Sequence, residues 1–153
     1  MTTSAEFGQM LGSLSVYSVA FLALLFSAAL SDLRSRTIPN TLVLLGLGLG
    51  LGLSLVHPDF TFLQSLLGAL AAFFVFLPFY LLRWMGGGDV KLFSVVGAYA
   101  GYAYLFWLVP LILAIGGLVA LVTLYYNRQY QTQHQLPYAV PIFLGSCAGL
   151  ALA

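Results

Sequence analysis

Apolar runs about as long as a bilayer's hydrocarbon core is thick follow one another along almost the whole 153-residue chain, separated by short polar or glycine-rich breaks. No water reaches the backbone of such a run in lipid. Its N–H and C=O groups must therefore pair within the segment, which leaves the α-helix as the solution for isolated runs. With 61% hydrophobic and only 6% charged residues, the chain has far fewer charges than the quarter usual in soluble domains. The expected fold is all-α: a single-domain (1–153) polytopic membrane helix bundle.

Six spans are expected: 11–33, 41–56, 62–83, 90–104, 106–126 and 137–153. The fourth and fifth read as a tight hairpin around Gly101 to Tyr104, because 37 residues of helix rise roughly 55 Å, near two hydrocarbon thicknesses. Ile38-Pro39-Asn40 stops the first helix, since the residue before proline is pushed out of helical geometry. His57-Pro58-Asp59 separates the second and third spans, and Gly86 to Gly88 the third and fourth. Asn127 to Gln135 is the longest soluble loop expected. The first span has Glu6 before it and no basic n-region, so it reads as a retained helix rather than a signal peptide.

The five cations set the orientation. Arg34 and Arg36 follow span one, Arg83 and Lys91 flank the loop after span three, and Arg128 follows span five. All fall on one side, which the positive-inside rule assigns to the cytoplasm, with both termini outside. The net charge of +1 and the lack of a dense basic cluster give no indication of nucleic-acid binding. Cys147 is the only cysteine, so no CxxC metal site is possible, and His57 and His134 fall on opposite sides in this topology. Neither a metal nor a cofactor is expected.

Glycines four apart, Gly46 with Gly50, Gly48 with Gly52 and Gly97 with Gly101, allow close helix packing. Trp84, Trp107, Tyr80, Tyr125 and Tyr126 fall near span ends, as an interfacial belt requires.

Chemistry is expected at two of the four carboxylates, Asp32 and Asp89, both at the cytoplasmic ends of spans. An acid beside lipid is costly to retain. Two neighbouring carboxylates share a proton, so one acts as base toward water while the other acts as acid toward a carbonyl. A glycine run before Asp89 permits close backbone approach and leaves N–H donors at a helix start. The plainer readings are an Asp32–Arg36 surface ion pair, an N-cap role for Asp89, and membrane anchoring by Lys91.

Gly86-Gly87-Gly88-Asp89-Val90-Lys91-Leu92 resembles the GxGD motif of intramembrane aspartyl proteases. Asp32 with Arg34, Ile38, Pro39 and Asn40 is similar to the other aspartate segment of the type IV prepilin peptidases. Pro137-Tyr138-Ala139-Val140-Pro141-Ile142 resembles their last-helix motif, with Ala139 in place of the usual glycine. The resemblance implies that Asp32 and Asp89 are a catalytic pair, supported by Gly86, Gly87, Gly88, Lys91, Pro39 and Asn40. It implies a prepilin or pseudopilin substrate cleaved after its short basic leader, at the cytoplasmic face of the inner membrane. Larger members carry an added cytoplasmic segment with paired cysteines and methylate the new N-terminus. The expectation here is the compact form that serves Flp (Tad) or archaeal-type pilins, without methylation. The rivals are a small proton- or cation-coupled transporter, in which intramembrane acids line an ion path, and a non-catalytic pilus-assembly subunit.

Overall fold

The computed structural model describes residues 16–56, 60–83, 85–130 and 139–152. Among them the chain forms α1 (Val16–Ser35), α2 (Asn40–Ser54), α3 (Phe62–Leu81), α4 (Gly87–Tyr130) and α5 (Ala139–Leu152). Ser18–Ser35, Phe62–Leu81 and Gly87–Thr123 are long and apolar enough to cross a membrane, while Asn40–Ser54 and Ala139–Leu150 are shorter apolar helices. The protein is a membrane helix bundle. The polar stretch read as a long loop is partly helical, because its residues 127–130 continue α4.

Five elements stand where six spans were expected, because the fourth and fifth expected spans run on as one 44-residue stretch, two helices joined directly at Gly101, where the tight hairpin was expected. Only Gly101 leaves helical geometry within it, at φ 71°, ψ 166°. That region is open essentially to glycine alone, so one residue makes the turn and no loop is inserted. The turn is sharp. Phe93 and Ile112 line the same cavity, whereas 19 residues of straight helix would set them about 28 Å apart. The two halves of α4 lie side by side.

Small residues decide how closely the helices approach. A Cβ on Gly68 of α3 would run into the Gly97 carbonyl oxygen of α4, and a Cβ on Gly97 into that of Gly68. Beside this contact Ser65 Oγ donates to the Ala98 carbonyl at 2.6 Å, and Phe76 stacks on Phe93 with centroids 3.8 Å apart. α3 is further anchored at its start by Thr61 and Gln64, which form a reciprocal capping box. On α2, Gly46 faces Leu24 and Val95, and Gly50 faces Tyr99 and Ala98. Gly48 and Gly52 have nothing within 4 Å. Half of the glycine pattern on α2 is thus a packing face.

α5 packs along the second half of α4, with Gly145 against Ile112, Gly149 against Leu108, and the Tyr104 hydroxyl donating to the Gly149 carbonyl at 2.7 Å. The end of α1, the starts of α2, α4 and α5, and the end of α3 meet at one end of the bundle. This follows from four contacts: Asp32 with Ala139, Asn40 with Lys91, and Ile38 with Gly88 and Tyr80 with Gly87.

Candidate active site

Asp32 occupies the last turn of α1, and Asp89 the first turn of α4. Both are buried, at 7% and 9% exposure. Their carboxylates lie within electrostatic reach of one another.

The turn after α1 holds Asp32 in helical register. Arg36 adopts φ 53° and its N–H donates to the Asp32 carbonyl at 2.8 Å. Ser31 Oγ donates to the Thr37 carbonyl at 3.0 Å, tying the turn back onto the helix. Pro39 is extended (φ −61°, ψ 134°) and starts α2. With Arg36 outside the helix, the Asp32–Arg36 ion pair is not formed. Asp32 Oδ2 instead accepts the Ala139 N–H from the first residue of α5 at 3.1 Å. A neutral backbone donor thus holds the carboxylate without adding a full opposing charge.

Asp89 is fixed locally. Helix α4 starts at Gly87 rather than at Val90, so Asp89 is its third residue. Its Oδ2 accepts the Gly86 N–H at 3.2 Å, and its own N–H donates to the Gly86 carbonyl at 3.1 Å. The capping role expected at the N-cap is therefore exerted from inside the first turn, in the manner of the acidic half of a capping box. Gly87 lies against the Tyr80 ring, and a Cβ on Gly88 would stand 3.3 Å from Ile38 Cβ. The glycine run is what lets α3 and the 36–40 turn close over the start of α4.

Of the residues expected to support the pair, Lys91 donates through Nζ to Asn40 Oδ1 at 2.8 Å. Pro39 sets the entry of α2 but offers no side-chain cap. An apolar cavity of about 230 Å³ opens at the same end of the bundle, lined by Met85, Phe93, Ile112, Gly116 and Pro141 among others.

Ala139 was read only as part of a last-helix motif, yet its amide is the partner of Asp32. A backbone N–H leaves no signature in side-chain identity; the nearest signal was the position of that motif at a span start. His57, Pro58, Asp59, Trp84, Gln131 to Gln135, Pro137 and Tyr138 lie outside the described residues, as does the stretch before Val16.

A sequence profile of the type IV leader peptidase family matches residues 19–125. The prepilin leader peptidase/N-methyltransferase of Bacillus subtilis (strain 168) is 31% identical over 134 residues, covering 84% of this chain and 52% of that relative. The chain thus spans about half the length of the curated relative it matches. No solved structure matches it.

Proposed function

Because the chain belongs to the type IV leader peptidase family, we propose that it is an intramembrane aspartyl endopeptidase that removes the basic leader from a prepilin or pseudopilin. Asp32 and Asp89 are the catalytic pair. The observation that carries this reading is the meeting of two buried carboxylates from α1 and α4 at one end of the bundle, each held by a backbone amide. Arg34, Arg36, Arg83 and Lys91 belong to the segments that meet at that end, and short cation-rich segments favour the cytoplasm. The pair then lies at the cytoplasmic face of the plasma membrane, where the leader of a substrate is presented.

In the mechanism, the substrate's apolar helix packs against the bundle from the lipid side, and its leader junction unwinds between the aspartates. The cavity beside Gly116 and Pro141 offers an apolar surface at that level. One carboxylate, ionised, takes a proton from water as the oxygen attacks the scissile carbonyl carbon. The other, protonated, donates to the carbonyl oxygen. The resulting gem-diol collapses, the C–N bond breaks, and the leaving nitrogen receives a proton from the pair. The leader departs with a new carboxylate and the mature protein with a free amine. No covalent intermediate is formed.

The test is co-expression with a prepilin from the same genome, as wild type, Asp32→Asn and Asp89→Asn, following leader loss by intact-mass spectrometry of membranes. Loss in the wild type alone, with all three proteins inserted at equal levels, is the expected result. Cleavage by either variant at a rate near that of the wild type overturns the aspartyl mechanism. A wild type that cuts no leader-bearing candidate favours the transporter or the non-catalytic subunit instead.

A further inference from the structure

Asn40 is the first residue of α2, one position beyond a proline N-cap that provides no side-chain hydrogen bond. Asparagine is among the residues best suited to cap a helix start. Its side chain is used elsewhere: Oδ1 accepts from Lys91 Nζ at 2.8 Å, across 51 residues of sequence. Lys91 is in turn placed against the helix dipole, as a cation near the N-terminus of α4. Being two residues past Asp89, it projects from a different face of the helix and reaches the α1–α2 turn. Three positions before Lys91, Gly88 admits Ile38 of the same turn so closely that a Cβ there would lie 3.3 Å from Ile38 Cβ. Two independent contacts, one polar and one steric, therefore join the turn that follows Asp32 to the helix start that carries Asp89.

We propose that Lys91 and Asn40 are a positioning pair, a clasp that fixes the 36–40 turn on the first turn of α4 and so sets the separation of the two aspartates. This inference rests on the peptidase reading for its consequence in catalysis, and on geometry alone for the clasp itself. Each residue acts through the aspartates and neither touches the scissile bond. Losing the hydrogen bond loosens the dyad without removing a reacting group. The turnover number then falls while KM for the substrate stays near its wild-type value.

The experiment has two arms, each on the full-length chain in membranes with Cys147→Ala as background. In the first, Ile38→Cys and Gly88→Cys are introduced together, because their Cβ positions lie near the separation a disulfide spans. Disulfide yield under mild oxidant is then compared with and without Lys91→Met or Asn40→Leu. The clasp predicts a severalfold drop in yield with either change, and near-full yield with Lys91→Arg or Asn40→Asp, which keep a donor or an acceptor. An unchanged yield with Lys91→Met and Asn40→Leu overturns the proposal, whatever the activity.

In the second arm, leader cleavage is measured for the single variants and the double variant with Gly88 and Ile38 intact. The turnover number is expected to fall about tenfold for each single change, with the double no worse than the worse single. Multiplying losses, or a raised KM for Lys91→Met beside a normal Asn40→Leu, would show that Lys91 serves the substrate and not the clasp. A wild type that cleaves no leader leaves the first arm decisive for the clasp and counts against the peptidase reading alone.

Discussion

The amide of Ala139 donates to the carboxylate of Asp32 at 3.1 Å, so the first residue of the last helix holds an acid at the end of the first, 107 positions earlier. The Ala139 side chain is fully buried, and its small size lets the start of α5 sit against the pair. Without this contact Asp32 would be a buried carboxylate with no donor among the described residues. Leaving a buried polar group unpaired costs about 1–3 kcal/mol, more for a charged one.

Replacing Ala139 by proline removes the N–H, and it also adds two ring carbons at a fully buried position. Proline is tolerated at the first position of a helix, where the backbone N–H has no helical partner to lose. The expected outcome for Ala139→Pro is an inserted bundle whose cleavage rate falls about tenfold or more, matching the loss of one hydrogen bond to a charged group. Ala139→Gly keeps the N–H and should stay within about twofold of wild type by the same account. Parallel rates for the two variants, measured by leader loss in membranes, would remove the amide from the site.

For the aspartates, Asp32→Asn retains an oxygen that accepts the Ala139 N–H, and Asp89→Asn one that accepts from Gly86. Both variants should insert and melt like the wild type. Proton transfer is lost, so cleavage should drop by at least about 10²-fold. Rate constants from a time course of leader removal, paired with thermal melting in detergent, check the two halves of this expectation.

The α3–α4 contact gives a contrast between glycines of the same chain. Gly68→Ala drives a methyl into the Gly97 carbonyl, and relief requires the helices to move apart, disturbing the Ser65–Ala98 hydrogen bond and the Phe76–Phe93 stack. A destabilisation of about 1–3 kcal/mol is expected. Gly48→Ala meets nothing within 4 Å and should be neutral or mildly stabilising. Midpoints of thermal unfolding in one detergent rank the pair.

Gly101 carries the reversal of α4. Any Cβ there meets both an unfavourable φ of 71° and the Phe60 ring, whose Cε2 would stand at 2.8 Å. Gly101→Ala is expected to lose about 1–3 kcal/mol from backbone strain alone. Shortening Phe60 in the double variant Gly101→Ala/Phe60→Ala should not restore stability, because the strain lies in the backbone and a cavity is added. Recovery in that double variant would assign the cost to the ring instead.

The sequence by itself determined the membrane bundle, because apolar run length and internal backbone pairing are local properties of each segment. It singled out the two aspartates as candidates as well, because carboxylates are rare in such a chain and a glycine run marks one of them. The reversal was legible as a tight hairpin around Gly101 to Tyr104, while its form as a single-residue turn at Gly101 depended on φ at that one position. Tertiary structure alone decided the partners. Gly68 has no glycine spaced four away to announce it, yet it meets Gly97; Lys91 finds Asn40 across 51 residues; and Asp32 is held by a backbone amide that every residue except proline possesses. Segment type follows from short-range chemistry, but which amide reaches which carboxylate depends on where the folded helices bring their ends together.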